Sequence, residues 1–546
     1  MSEELCFLSL ADAAARIREG SLSPVELAEA HLERIVAIDG QLNAYLTVTA
    51  DRARQQARAA AAEIARGAYR GPLHGIPFGL KDMFETRGVP TTAHSKLLAN
   101  NVPATDAGVV QKLYAAGATL LGKHALHEFA HGGPSFDLPW PPARNPWHTG
   151  HYTGSSSTGS GAAVAGGLAT FALGTDTGGS VRTPAWMCGI VGFKPTFGLV
   201  GRGGVIPFSA SCDHVGPLTR TVEDAALVLQ AIAGHDARDP GSARRDVPDF
   251  TAGFGRGLAG LRFGVLRHHF EEDTTANAEL RAALDAALDV LRDQGAHLED
   301  VRVRPLHDYY SVRIMLTESE LFARHQHHLA RHAHDYGHHF LGRTLAAALF
   351  SGADYIAAQR ERRRIIAEMQ PLYARFDGLI TTGAGPAPHL DHHRSIGAQQ
   401  KWSTPSMGTM CSVTGAPALA LPCGFSRSGL PLGMQVSGRP FEDAALLAIG
   451  HAYERAAGWH LRHPALVPGA PPAAIDLRTE PVAAADVAPD VRAHVDAAVR
   501  HAGLELDAAA LALLHESAPW ALAMARRLPR DIAWTDEQAA VFTLER

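Results

Sequence analysis

Three short segments carry the residues best suited to covalent chemistry. The first, Gly75-Ile76-Pro77-Phe78-Gly79-Leu80-Lys81-Asp82, ends an apolar run on a lysine. The second is Gly154-Ser155-Ser156-Ser157-Thr158-Gly159-Ser160-Gly161. The third is Gly174-Thr175-Asp176-Thr177-Gly178-Gly179-Ser180-Val181-Arg182. A serine hydroxyl is a weak nucleophile and needs a base. A lysine serves as that base only when burial or a neighbouring cation makes it neutral. A lysine closing an apolar strand is set up for such burial. A nucleophile also needs donors for the oxyanion that develops on its substrate. Thr177-Gly178-Gly179-Ser180 can present successive backbone N–H groups, because glycine permits the turn and the close approach. Taken singly each segment is weak, since most Gly/Ser loops are only turns. Together they suit acyl transfer through a serine.

Rival motifs are missing. No GxxxxGK[ST] phosphate loop occurs, and no G-x-S-x-G elbow surrounds Ser156 or Ser180. Thirty histidines invite a metal reading. His325, His327, His328, His332, His334, His338 and His339 crowd one stretch, and His389, His392 and His393 another. There is no HExxH, and neither His328–His332 nor His334–His338 has a glutamate between its members. These histidines are expected at the surface or lining a cleft, and no metal or other cofactor is expected.

Bulk properties narrow the class further. The formal net charge of -6 over 546 residues gives no basic footprint for nucleic acid. Arg360, Arg362, Arg363 and Arg364 fall inside a helical pattern and are expected to line a solvated face. Cys6, Cys188, Cys212, Cys411 and Cys423 are scattered without a CxxC pair, which suits reduced thiols and a cytoplasmic setting. The start, with Glu3 and Glu4, has no basic region followed by an apolar one, so no signal peptide is expected. No run reaches the roughly 18 apolar residues of a membrane span.

The elements that must position these residues alternate in type. Ser23 before Pro24 reads as a helix cap with proline at the first position, and Leu27, His31, Ile35 and Ile38 follow at helical spacing. From Leu73 to Leu121 short apolar runs alternate with helical segments, as an α/β core requires. The Gly/Ala-rich run Ala162–Leu173 reads as a tightly packed core helix. Leu261–Leu266, Phe376–Thr381, Ala416–Leu421 and Leu432–Val436 read as strands. Ala276–Gln294 and Asp443–Ala456 read as helices. The organisation expected is a catalytic domain over 1–467, a linker over 468–488 and a small helical extension over 489–546. The extension is too short for a core of its own, so it is expected to pack on the main domain or on a neighbouring copy. The possibility of a homodimer stays open.

The three segments, in order and spacing, resemble the amidase signature family. The likeness continues through Thr183-Pro184-Ala185 and Gly189-Ile190-Val191-Gly192-Phe193-Lys194-Pro195-Thr196, and spans about Leu8 to Pro464. It implies an α/β fold with a central mixed β-sheet covered by helices on both faces. It implies a catalytic triad of Ser180 as nucleophile, Ser156 as bridging serine in a cis peptide, and Lys81 as base. Thr177, Gly178, Gly179 and Ser180 would form the oxyanion hole. Asp176 and Arg182 would brace the loop as an ion pair, with Ser157 beside Ser156. His127-Glu128 resembles a recurrent structural turn of the family. Ser155 and Thr158 stand where many members have glycine, and Gly161 where many have alanine.

The function implied is hydrolysis of a carbon–nitrogen amide bond in a small molecule, with no membrane or nucleic-acid partner. Three alternatives stay open. One is a carbamate (urethanase) or a urea- or biuret-type hydrolase with the same triad. Another is the amide-cleaving subunit of a tRNA-dependent amidotransferase. The third is a binding or scaffolding role, which the intact triad argues against. The tail faintly resembles the small accessory subunits of amidotransferases and biuret hydrolases.

Overall fold

The computed structural model describes residues 3–395, 402, 405–476, 478–480 and 486–530. Among them eleven strands form one sheet. In chain order they are β1 (Tyr45–Val48), β2 (Pro77–Lys81), β3 (Thr119–His124), β4 (Phe171–Asp176), β5 (Val191–Lys194) and β6 (His214–Thr219). β7 (Arg262–Val265), β8 (His297–Asp300), β9 (Gly378–Thr382), β10 (Ala418–Phe425) and β11 (Pro431–Ser437) follow. Their order across the sheet is β1-β3-β2-β4-β6-β5-β10-β11-β9-β7-β8. β2 runs parallel to β3 and β4, whereas β4 and β6 are antiparallel, so the sheet is mixed.

The central strands show no polar–apolar alternation. β2, β3, β4, β5 and β6 are buried at every residue. That is the pattern of strands covered by helices on both faces. Phe78, Leu80, Phe171 and Leu173 lie in one continuous apolar core with Leu229, Phe263 and Leu419. The helix Pro24–Leu42 starts as expected: Ser23 caps Val25 N–H and proline takes the first position.

The reading of Ala162–Leu173 as one helix is corrected. The helix is Thr158–Ala165, a turn follows, and β4 begins at Phe171. Gly167, at φ +72, sits in that turn, where a side chain would be strained. The reading of Arg360–Arg364 as a solvated face is also corrected. Arg363 is exposed, but Arg362 is buried and its Nε donates to the Val413 carbonyl at 2.7 Å.

A second core cluster joins the helices Leu306–His332 and Gly352–Arg375 to the end of the chain. The tail forms the helices Pro489–His501 and Ala508–Arg527, the latter capped by Asp507. Val495, Leu513, Leu514, Ala518, Ala521 and Met524 have no exposed surface. They pack against the segments His338–Thr344 and Leu345–Leu349. The Pro-rich segment before the tail is tied down as well. Gly469 N–H donates to Ala37, Ala473 N–H donates to Thr149 Oγ1, and Asp476 pairs with Arg394 at 3.0 Å. Residues 531–546, which include most of the Pro529–Phe542 stretch compared with accessory subunits, lie outside the described residues. All five cysteines are buried and unpaired. Among the described residues no helix is long and apolar enough to cross a membrane.

Candidate active site

Two parallel neighbours, the third and fourth strands across the sheet, bring the lysine and the serine loops together. β2 ends on Lys81 and β4 ends on Asp176, with Leu80 opposite Leu173. The C-terminal ends of adjacent parallel strands are where open α/β sheets place their sites. The serine segment 155–157 lies just before the helix Thr158–Ala165, which packs on β4. Gly154, at φ +105, opens that segment. A Cβ there would lie 2.7 Å from the backbone nitrogen of Pro184, so the loop can be this close to its neighbour only with glycine.

Lys81 is fully buried, and its Nζ lies 2.7 Å from Ser156 Oγ and 2.7 Å from Thr175 Oγ1. Burial pulls its ammonium down to about 7, against the opposing pull of Asp213 and Asp176. A lysine in that range exchanges its proton easily near neutrality.

Ser180 is buried but for 6% of its surface, at the turn between β4 and the helix Arg182–Cys188. Its Oγ lies 3.0 Å from Ser155 Oγ. Weighed by size alone, Ser155 is a small residue replacing a glycine, and sequence reasoning misses this contact. The expectation for Ser156 is a bridge between lysine and nucleophile. The structure pairs Ser156 with Lys81 and pairs Ser155 with Ser180. Ser157 stands behind both, with its Oγ donating to the Thr175 carbonyl at 3.2 Å and its N–H directed to the Ser180 carbonyl at 3.3 Å. The cis peptide implied at Ser156 is not found; among the described residues every peptide bond is trans.

The Asp176–Arg182 pair is present and fully buried. Arg182 Nη2 lies 2.8 Å from Asp176 Oδ1 and its Nε donates to Oδ2 at 3.0 Å. Burial alone would raise the Asp176 carboxyl, but Arg182 outweighs it and holds the carboxylate well below its usual range. Asp176 also accepts the N–H groups of Gly179 at 2.8 Å and Val181 at 3.1 Å. Arg182 Nη1 continues to the Gly408 carbonyl and to Gln435 Oε1, at 2.9 and 2.7 Å. One carboxylate thus pins the loop on both sides of Ser180, and one guanidinium pins that carboxylate to the far half of the sheet. Thr177 Oγ1 donates to Asp213 Oδ1 at 2.5 Å, and Asp213 accepts Phe208 and Ser209 N–H groups.

A family model described as Amidase matches residues 26–447. The chain belongs to the amidase family. It is an enzyme that cleaves carbon–nitrogen amide bonds by hydrolysis. The amidase is 40% identical over 482 residues to a glutamyl-tRNA(Gln) amidotransferase subunit of Anaeromyxobacter sp. (strain K), covering 84% of this chain and 98% of the relative. It is similar, at 33% identity and a TM-score of 0.77, to a structure described as "An unexpected vestigial protein complex reveals the evolutionary origins of an s-triazine catabolic enzyme". That likeness covers 82% of this chain and 98% of the other. Native peptide amidase from Stenotrophomonas maltophilia is 32% identical with a TM-score of 0.71, over 82% of this chain and 97% of that one.

Sequence reasoning misses four groups around the candidate site. Ser155 and Thr175 lie inside strings already singled out, and nothing local distinguishes them. Asp213 carries no motif. Arg313, on the helix Leu306–His332, lies over Gly178: a Cβ on Gly178 would be 2.9 Å from Arg313 Nη1. Among the described residues, two groups bring three metal-ligand-type atoms within 4.8 Å of one another. They are His268, His269 and Asp273, and His332, His334 and Asp335. Neither includes a residue of the serine–lysine constellation. The i,i+4 pairs weighed from sequence are not the grouping that forms.

Proposed function

We propose that this amidase works through an acyl-enzyme on Ser180, with Lys81 as the base that ultimately takes its proton. Ser180 Oγ attacks the amide carbonyl carbon. Its proton passes by way of Ser156, the serine that touches the lysine, to Lys81, while Ser155 holds the Ser180 hydroxyl by a hydrogen bond. The proton returns to the amide nitrogen as the C–N bond breaks and the amine leaves. Water then attacks the ester by the same route and frees the acid. The observation that carries this reading is the buried Lys81 amine 2.7 Å from Ser156, with its pKa drawn down to about 7.

Gly179 N–H is spent on Asp176. The oxyanion donors we assign are therefore the N–H groups of Thr177, Gly178 and Ser180, with Gly179 supplying the φ of +121 that turns the loop. Asp176 and Arg182 hold that loop, and Ser157 supports it. We assign no cofactor, a small-molecule amide as substrate, and a cytoplasmic setting. The division into 1–467, 468–488 and 489–546 is our reading of the chain, with the tail acting as a fused accessory unit.

A second reading keeps the triad and changes the substrate to a carbamate or a urea-type bond. The likeness to the s-triazine enzyme complex favours it. The amidotransferase subunits among the relatives support a third, in which ammonia passes to a partner. One assay separates these. The full chain alone is offered primary amides, anilides, carbamates and ureas, and separately glutamine with a charged tRNA and a partner fraction. Turnover of amides by the chain alone supports the first reading. Turnover confined to carbamates or ureas moves the function to the second. Activity that depends on the partner and tRNA moves it to the third.

A further inference from the structure

We propose that His268, His269 and Asp273 form a binding site for a divalent transition-metal ion of the Zn2+ class, separate from the serine–lysine constellation. The ion clasps the chain after β7 to the start of the helix Leu306–His332 and takes no part in the acyl transfer. These residues lie outside both histidine-rich stretches of the sequence.

The backbone brings the three together. His269–Asp273 is a single π-helical turn, closed by Thr274 N–H on the His269 carbonyl at 3.1 Å. Such wide turns are rare and occur frequently at functional sites. Asp273 thereby returns next to the two histidines, and one ligand-type atom of each residue lies within 4.8 Å of the other two. His268 and His269 are 5% and 1% exposed, while Asp273 keeps 15% of its side chain open to solvent, which gives an ion a way in.

The hydrogen bonds hold these side chains and leave ligand atoms free. His268 Nδ1 is buried without a partner. Its Nε2 faces Val303 N–H at 3.5 Å, too long for a firm bond, so nothing reserves the Nδ1 lone pair. His269 Nε2 donates to the Arg304 carbonyl at 3.0 Å, and Asp273 Oδ2 accepts Leu306 N–H at 2.8 Å. An imidazole that gives its other N–H to a carbonyl, and a carboxylate held by a hydrogen bond, are the outer contacts that metal ligands keep. They leave His269 Nδ1 and Asp273 Oδ1 to the ion. Among the described residues no lysine or arginine pairs with Asp273, whose one ion-pair contact is His269 at 4.0 Å. The neighbouring cations are spent elsewhere, Arg302 on Glu272 at 2.6 Å and Arg304 on Glu361 and Glu368. A largely buried carboxylate with no cation of its own is a place for a positive ion. Two imidazoles and one carboxylate select a borderline ion such as Zn2+ over Mg2+ or Ca2+, which take oxygen ligands.

The test titrates ZnCl2 into the full-length protein after stripping with EDTA, read by calorimetry and by the melting temperature. The exposed group of His332, His334 and Asp335 also carries ligand-type atoms, so the titration is repeated with His332→Ala and His334→Ala combined. One ion per chain should still bind in that background and raise the melting temperature, Mg2+ should give no shift, and kcat should be the same with and without Zn2+. Asp273→Asn and His268→Gln, close in size to the residues they replace, should each weaken Zn2+ binding by at least about tenfold. Anomalous scattering at the zinc edge from a soaked crystal locates the ion in the wild type whether or not those variants fold. A peak between His268, His269 and Asp273, with the solution titration, supports the site. Zinc found only at the exposed histidines, or binding lost with His332 and His334, would overturn it. So would affinity unchanged in both Asp273→Asn and His268→Gln, a Mg2+ shift as large as that of Zn2+, or a kcat that requires Zn2+.

Discussion

Replacing Lys81 by methionine removes the buried amine between β2 and the serine loop and should separate two consequences of its burial. The side chain has no exposed surface, and its amine is drawn from 10.5 to about 7 by that burial. The shift corresponds to about 5 kcal/mol of preference for the neutral form in the fold. Below about pH 7 the lysine is protonated in both folded and unfolded chains, so the native state carries the whole penalty. Between about pH 7 and about pH 10.5 the unfolded chain holds a proton that the native chain has shed. Stability therefore rises with pH across that window, by up to about 1.4 kcal/mol per unit. Lys81→Met lacks this slope, and subtracting its curve cancels all other titrations. The variant should be the more stable at about pH 6, less the roughly 1–3 kcal/mol lost by leaving Ser156 and Thr175 unpaired. Its advantage should shrink by about 1.4 kcal/mol per unit above neutrality. The assay is denaturant unfolding of both proteins at closely spaced pH values. In the wild type, kcat/KM should fall below about pH 7 with unit slope, to about a tenth of its plateau at about pH 6. A stability difference flat from about pH 7 to about pH 9 would refute this reasoning. So would an acidic limb centred near the ordinary lysine value.

Arg182→Met should destabilise the fold by about 3–5 kcal/mol, because it strands the buried Asp176 carboxylate, and should abolish turnover as the loop is released; unfolding curves and kcat check it. Ser155→Gly removes the contact to Ser180 Oγ and should lower kcat/KM roughly fivefold, the worth of one hydrogen bond of about 1 kcal/mol, without moving the melting temperature. Truncation before Pro489 uncovers the second core cluster where Leu513, Leu514 and Met524 sit. It should lower the melting temperature and raise binding of a hydrophobic dye. A truncated chain unchanged in both would show the tail to be a free appendage.

The candidate site is legible in the sequence wherever it lies in one contiguous string. Lys81, Ser156, Asp176, Ser180 and Arg182 fall in three short segments, and each segment folds as a strand end or a loop opening onto the same point. Arg313 is invisible for the opposite reason. It sits in a 27-residue helix with no motif, and only the tertiary fold lays it over Gly178. Ser155 escapes notice when size alone is weighed at that position, whereas its hydroxyl is what reaches Ser180. Strand positions late in the chain read to within a few residues, since their apolar runs are short and bounded by Gly and Pro. The end of the helix at Ala165 is hidden because Ala and Gly continue the apolar run across the turn into β4. Arg362 reads as solvated because helical periodicity does not tell which side of a mixed face packs inward. The segment after Val467 reads as loose by composition. Backbone and ion-pair contacts to Ala37, Thr149 and Arg394 fix it, and composition carries no signal for those.

The central claim is a covalent acyl-enzyme on Ser180, and peptide mass mapping after trapping tests it most directly. The full-length protein is treated with a serine-directed fluorophosphonate, or quenched during turnover of a slow aryl ester, then digested and mapped. The account predicts one adduct, on Ser180, formed with the same acidic limb near about pH 7 and absent from Ser180→Ala. An adduct on Ser155 or Ser156 in the wild type would contradict it. So would undiminished amide turnover by a Ser180→Ala protein that takes up no label.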